Sequence, residues 1–490
     1  MWRRVRARLP AGRRERIALG LLGLILLAGA GVRLWLLIAQ RPALIGYPDS
    51  YSYVSSAMGP LFSDPLRQAG YPYFLGLIKT IDSNLSATIV AQHALGLASA
   101  LLLYLAARRV GLSRWWSLLP AGVLALSGPQ VMIEHAVLTE PLFVFLQSAS
   151  VYAAVRAVGE RDWAWALGAG LFAGATVTVR TLGLLLAGVV ILWLALASTG
   201  AWRRRLVRAT ATLATTLLVA GAYVAYQESE TGYTGLTPAG AWNLYGRVAP
   251  FADCERFTPP EGTRRLCERT PEEERPGPTA YIFGSDTPAL KAFGGPFVAT
   301  EDQNESVAAF ARAAIVNQPL DWLDHVVTED LVRYVASDRT VRETQGLSFD
   351  GLQMVLVSGP DKRATAELIS TWYSTRGEHV NEGRLDAFFS YERATRVVGP
   401  LFVLLVLLGV AGLGLARGEP RRGAWLFAAV ALVSIIGPVA TLFYDARYAI
   451  PAFGPLAAAA AVGGWAVTQR AAGLRRRGAT APVQAPPGPR

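Results

Sequence analysis

The chain is poor in charge, in lysine and in cysteine. Only 17% of its 490 residues are charged, against about 25% for an ordinary soluble domain. That deficit argues against a cytosolic enzyme. The hydrophobic share, 52%, excludes intrinsic disorder. Lysine occurs only at Lys79, Lys291 and Lys362 among 47 basic residues. With abundant Ala and Gly, the arginine preference reads as a GC-rich bacterial coding bias and carries no chemistry. There is no Walker A segment, no H-E-x-x-H and no D-x-D, so neither a zincin site nor a soluble nucleotide-sugar site is supported. Residues 168–173 spell G-x-G-x-x-A, but inside an apolar run with no strand before it. They read as small-residue helix packing, not as a dinucleotide loop.

What charge there is lies unevenly. The formal net of +11 hides a segment, 228–394, that holds 26 of the 36 acids and 16 of the 47 basic residues, a net of −10. The rest of the chain nets +21. A nucleic-acid binder gathers arginines on one folded surface. Here Arg108, Arg109 and Arg114, then Arg156 and Arg161, Arg203–Arg205 and Arg208, Arg417, Arg421 and Arg422, and Arg475–Arg477 punctuate apolar runs. Nucleic acid is excluded as a partner, and a membrane takes its place.

The runs 17–39, 84–107, 115–133, 137–158, 163–179, 181–199, 209–227, 397–416, 424–443 and 449–467 are spanning candidates. With ten spans, every basic cluster falls on one side, and the positive-inside rule puts both termini in the cytoplasm of a bacterial cell membrane. The expected fold class is mainly α: a multi-pass bundle of about ten helices, with an exoplasmic α or α+β domain inserted before the last three spans. The domain boundaries follow: a basic cytoplasmic segment 1–16, a transmembrane core 17–227 with a first exoplasmic loop 40–83, the exoplasmic domain 228–394, C-terminal spans 395–468, and a Pro- and Ala-rich cytoplasmic tail 469–490, expected to be disordered.

Within the external domain, 228–300 reads as loop with short strands, 301–336 as two helices broken at Asn317-Gln318-Pro319, and 360–394 as mostly helical. Both cysteines, Cys254 and Cys267, fall in this one exoplasmic segment, which is oxidising, so they are expected to pair.

Candidate chemistry gathers at the outer face. Asp49, in Gly46-Tyr47-Pro48-Asp49-Ser50-Tyr51, offers a carboxylate as general base toward a hydroxyl, or a helix cap. Arg67-Gln68-Ala69-Gly70-Tyr71-Pro72 reads as an interfacial segment. Tyr51, Tyr71 and His135 are candidates for the acceptor side or the interface. Between two spans lie Glu134, His135, Thr139 and Glu140, with Thr139 placed to cap the next helix. Acids and a His there could hold a divalent cation, Mg or Mn, although no spacing motif demands one. Arg33, Arg180 and Arg447 lie at a depth where guanidinium can meet a phosphate-bearing lipid. Nucleotide donors are cytoplasmic, so an activated group used on this side must be lipid-borne.

Taken in order, Asp49, the Gly-Tyr-Pro segment, Leu-Thr-Glu-Pro-Leu-Phe at 138–143, Arg180, and Asp-Ala-Arg-Tyr-Ala-Ile-Pro at 445–451 resemble the GT-C superfamily of integral-membrane glycosyltransferases. In particular they resemble bacterial phospholipid-carrier-dependent enzymes akin to protein O-mannosyltransferases and the lipid A aminoarabinose transferase. The resemblance covers roughly 30–230 and 397–467. It implies transfer of a sugar from a polyprenyl phosphate to an exoplasmic glycan, lipid or protein acceptor, with inversion. Asp49 would be the catalytic acid of the first loop, and Arg67, Arg180, Arg447 and Arg33 would hold the donor phosphate. Relatives often carry two adjacent acids where this chain has Asp49-Ser50, which leaves a second acid to Glu134 or Glu140. The rival classes are a transporter or flippase of envelope lipids and a non-catalytic membrane scaffold. The former would place its charges mid-membrane and show repeat symmetry.

Overall fold

The computed structural model describes residues 12–479 apart from 46, 159–162, 338, 345–346, 351–352, 357–368 and 375. Residues 1–11, Arg161 and the tail from 480, expected to be disordered, lie outside the described residues, as does the part of the expected 360–394 helix before 369.

Every apolar run is helical. The first is α1 (Gly12–Ala39). Two short helices follow in the first loop, α2 (Pro48–Met58) and α3 (Gly70–Ile81), then α4 (Leu85–Arg109). The third run is broken. Ser127 ends α5 (Leu118–Leu126) in an extended conformation, and its hydroxyl caps α6 (Gly128–Glu134), where Pro129 occupies the first turn. A proline is tolerated there but not in a continuous helix. Next come α7 (Glu140–Ala157), α8 (Trp163–Val179), α9 (Gly183–Leu196) and α10 (Trp202–Thr231). Arg180 lies in the turn between α8 and α9, as two short crossings require.

Among the described residues five helices are long and apolar enough to cross a membrane on their own, α1, α4, α10 and two near the C-terminus, or six if a bent pair near residues 382–415 is one span. Leu27 on α1 and Leu218 on α10 are 72% and 70% exposed, an outer surface suited to hydrocarbon. α8 lies along α10. A Cβ on Gly170 would sit 2.3 Å from the Thr212 carbonyl oxygen, and the hydroxyls of Thr212 and Thr216 donate to the carbonyls of Ala166 and Gly170. The G-x-G-x-x-A string is therefore a helix-packing face.

The external segment differs from its expected outline. Residues 249–277 are mostly loop as expected, but α11 (Ala239–Val248) and short helices at 278–283 and 288–293 flank it, and the described residues of 228–300 hold no strand. α12 (Glu301–Asn317) starts at a Thr300–Gln303 capping box and ends before Pro319 as expected. The next helix widens into a π-turn over His325–Leu331. The helical spacing of Leu323, Val326, Val327, Leu331 and Val335 predicts one buried face, but Val326 is buried whereas Leu323, Val327 and Val335 are exposed. Trp242, Tyr245, Phe251 and Phe310 form a core separate from that of the bundle.

Cys254 and Cys267 are bonded, with Cα atoms 6.0 Å apart. Replacing both with Ser is expected to destabilise this small core by about 3 kcal/mol, the loop-closure value for a ring of this size. A lower thermal midpoint of the purified protein is the readout, and an unchanged midpoint would refute it.

The chain returns through α13 (Glu382–Ala394), α14 (Gly399–Leu415), α15 (Gly418–Thr441) and α16 (Ile450–Ala479). α13 and α14 meet at 42°. α14 and α15 pack along α16. Asp445 caps a 3₁₀ turn, Ala446–Ala449, that leads into α16. At the far ends of the helices Glu15 pairs with Arg108 and Arg114, at 3.7 and 3.2 Å.

Candidate active site

Two groups of ionisable side chains occupy this frame. The inner one is enclosed. Arg33 on α1 grips Glu134 at the end of α6 with both Nε and Nη2, at 2.7 and 2.8 Å. Its Nη1 donates to the carbonyls of Gly29 and Ala125. Gln130 donates to the same carboxylate, at 2.9 Å. His93 on α4 meets Glu134 at 3.0 Å through Nδ1 and His135 at 3.1 Å through Nε2. His135 Nε2 faces the backbone oxygen and side-chain oxygen of Gln40. Tyr71 donates to Gln92, which donates in turn to the carbonyls of Glu134 and Ala136.

Glu134, His135 and Tyr71 have no exposed surface, and Arg33 has 2%. As arranged, Arg33 is spent on Glu134 and helix carbonyls, so it has no arm left for a donor phosphate. Glu134 is equally spent, and His135 and Tyr71 are enclosed with it, so none of the three reaches the surface of the site. They brace α1, α4 and α6, as a buried ion pair must when its groups are fully hydrogen-bonded. Gly96 on α4 makes room for this: a Cβ there would stand 1.8 Å from Glu134 Oε1. Gly96→Ala is expected to cost about 1–3 kcal/mol by overpacking, seen as a lower midpoint. An unaltered midpoint would show that the carboxylate can shift freely.

The outer group is more open. Asp49 lies in the first turn of α2, one residue after Pro48, and Tyr47 is the N-cap. Asp49 therefore does not cap the helix. Its Oδ1 pairs with Arg67, from the loop before α3, and its Oδ2 with Arg447 Nη2 at 2.7 Å. Arg447 Nε reaches Asp445 at 2.9 Å and Glu140 at 3.9 Å. Glu140, the first residue of α7, holds Arg180 at 2.6 Å. Thr139 stands at the N-cap of α7 as expected, but its hydroxyl makes no cap hydrogen bond and accepts from Arg180 at 3.0 Å instead. Three arginines and three carboxylates thus converge from five chain segments. The rings of Tyr47, Tyr448 and Tyr53 lie against the guanidinium groups of Arg447, Arg180 and Arg67. Tyr51 is set on the opposite, exposed side of α2.

Burial pushes the Asp49 carboxyl up, but Arg67 and Arg447 outweigh it and hold the group well below the usual carboxylate range. The site is not saturated. The side chains of Arg67 and Arg180 keep 25% and 20% of their surface exposed. Arg67 Nε and the Tyr47 hydroxyl have no hydrogen-bond partner among the described residues. Buried donors without acceptors are uncommon, and the one on Arg67, which pairs with Asp49, marks a place for an acceptor-rich ligand such as phosphate.

A divalent cation fits poorly. Such an ion takes about six oxygen ligands. Among the described residues no three His, Cys, Asp or Glu converge on a common point, and each acid of the outer group already faces a guanidinium.

Residues 83–227 match the family model of dolichyl-phosphate-mannose-protein mannosyltransferases. The sequence resemblance to protein O-mannosyltransferases is borne out over that segment, which carries Glu140 and Arg180 but neither Asp49 nor Arg447. No curated protein matches the chain. Among solved structures, the archaeal oligosaccharyltransferase AglB of Archaeoglobus fulgidus, in complex with an inhibitory peptide and a dolichol-phosphate, is 15% identical with a TM-score of 0.46. That alignment covers 98% of this chain and 53% of the archaeal one. The chain therefore spans about half the length of that protein. ArnT of Cupriavidus metallidurans, bound to undecaprenyl phosphate, is 14% identical over 95% of this chain and 82% of its own, with a TM-score of 0.38. The Pmt1-Pmt2 protein O-mannosyltransferase complex of S. cerevisiae, bound to the sugar donor, is 16% identical over 49% and 37%, with a TM-score of 0.36.

Sequence reasoning passed over His93 and Gln92, and it gave Asp445 and Thr139 no place in the charged group. Asp445 stands two residues before Arg447 and accepts its backbone N–H at 3.0 Å, an Asx turn that an Asp-x-Arg spelling signals. His93 is an ionisable residue inside an apolar run, which is itself a signal.

Proposed function

We propose that the protein transfers a glycosyl group from a polyprenyl-phosphate-linked sugar to an acceptor hydroxyl at the exoplasmic face of a bacterial cell membrane, with both termini in the cytoplasm. The reading rests on one observation: a carboxylate, Asp49, held between two guanidinium groups, one of which keeps a buried donor without an acceptor. The family match supports the donor class, since dolichyl-phosphate mannose is a polyprenyl-phosphate sugar.

The phosphate of the donor takes Arg67, Arg447 and the exposed edge of Arg180. In doing so it draws Arg67 from Asp49, and the freed carboxylate oxygen accepts the hydrogen of the incoming hydroxyl. The acceptor oxygen bonds to the anomeric carbon as the bond from that carbon to the phosphate oxygen breaks. The proton passes to Asp49, and the bond electrons leave on the polyprenyl phosphate. The arginines stabilise that charge where it grows, in a partly dehydrated site where such contacts weigh most. With nucleophile and leaving group on opposite sides, the configuration inverts.

The test is transfer by purified protein from radiolabelled polyprenyl-phosphate sugars to an envelope extract. Arg67→Ala is expected to raise the KM for donor about 10-fold or more, the worth of one charge-assisted phosphate contact. Substrate counterflow in proteoliposomes with no covalent product would replace this reading with a flippase.

A further inference from the structure

At the end of the bundle away from Asp49, four helix ends enclose a cavity of about 240 Å³. They are the last turns of α4, α7 and α9 and the first turn of α15. Each of the first three helices begins at or toward the side of Asp49 and finishes here. The wall is apolar: Val110 and Val155 are buried, and Val158 and Trp193 complete it. Trp193 is fixed, because its indole N–H donates to the Arg422 carbonyl at 2.8 Å. The loop closing the cavity is fixed as well, since Arg208 donates to the Thr199 carbonyl.

The rim carries three charges, Arg109, Arg422 and Glu419. None has an ion-pair partner among the described residues. Nearby arginines are otherwise employed: Arg108 and Arg114 face Glu15, and Arg156 lies over Trp165. Two free guanidinium groups and one free carboxylate around an apolar wall, at the boundary where basic clusters meet the bilayer, describe a particular ligand. The guanidinium groups suit a phosphodiester. Glu419 repels a purely anionic headgroup but suits a cationic one. The valines suit the first methylenes of acyl chains.

We propose that this cavity binds the headgroup of an aminophospholipid, with phosphate on Arg109 and Arg422 and the primary ammonium on Glu419. The occupant is a lipid of the surrounding leaflet, not the sugar donor. It docks opposite the Asp49 site and independently of what that site does.

The experiment is native mass spectrometry of the full-length protein released from nanodiscs containing equal phosphatidylethanolamine and phosphatidylglycerol. Wild-type protein is expected to retain one phosphatidylethanolamine, favoured about tenfold over phosphatidylglycerol, the value of one ion pair. Glu419→Gln is expected to abolish the preference while lipid is still retained. Arg109→Gln with Arg422→Gln is expected to lose the retained lipid of either kind. Equal retention of the two lipids by wild-type protein would overturn the proposal, as would a preference that survives Glu419→Gln. If the double arginine variant fails to fold, Glu419→Gln alone decides, because Glu419 is exposed and makes no ion pair among the described residues. Displacement of the retained lipid by phosphate alone, without regard to the amine, would also overturn it.

Discussion

Asp49→Asn is expected to lower the rate of sugar transfer by about 10²–10⁴-fold, the range general-base residues contribute, with little change in donor KM. Asparagine keeps the shape of the side chain but cannot accept the proton. Arg447 would retain Asp445 at 2.9 Å, and Arg67, a quarter exposed, would turn to water, so the fold survives. The pH dependence should follow from the same contacts. While Arg67 and Arg447 hold Asp49, its carboxyl stays ionised well below neutrality. Its pairing therefore contributes stability above the ordinary carboxylate pKa of about 4, and that stability fades only as the pH falls further. Transfer at the wild-type rate by Asp49→Asn, measured with saturating donor, would remove Asp49 from catalysis.

The largest loss of stability is expected at Arg447. It stands against Asp49, Asp445 and, at longer range, Glu140, and its side chain is 9% exposed. Removing one partner of a buried charge network typically costs about 3–5 kcal/mol, because the remaining charge is left without compensation. Arg447→Met should lower the thermal midpoint more than any other single change in the outer group and should abolish transfer. Adding Asp445→Asn, which removes one of the orphaned carboxylates, should restore much of the midpoint and none of the activity. Were the double variant no more stable than the single one, the network account of Arg447 would be wrong.

The helices were legible because hydrocarbon imposes length and apolarity on every crossing, and those show in composition alone. The disulfide was legible because both cysteines fall in one segment between apolar runs. The break at Ser127 could be read only by weighing Pro129 against a long apolar run. The outward turn of Leu323 and Val327 could not be read at all, since a π-turn shifts the helical period without leaving a residue signature. The site was half legible. Asp49, Arg67, Glu140, Arg180 and Arg447 stand out as charges beside apolar runs, and packing brings these five together. Arg33 and Glu134 look the same in sequence. Which acid meets which arginine depends on how closely α1, α4 and α6 approach, and that is set by residues such as Gly96, distant in the chain from both.

The inner group has a consequence that counting hydrogens makes plain. Glu134, His93, His135 and Gln40 make three successive contacts at 2.9–3.1 Å. Gln40 spends its amide N–H on the Ala43 carbonyl, so both of its oxygens face His135 as acceptors, and His135 Nε2 must carry a hydrogen. For the other two contacts to be hydrogen bonds, each needs a hydrogen as well. Two neutral imidazoles bring two, so with Glu134 ionised against Arg33 only one of the two His93 contacts holds a hydrogen at a time. His93 can present that hydrogen on Nδ1 to Glu134 or on Nε2 to His135, and the tautomer of this one ring decides which of the two α4 is tied to.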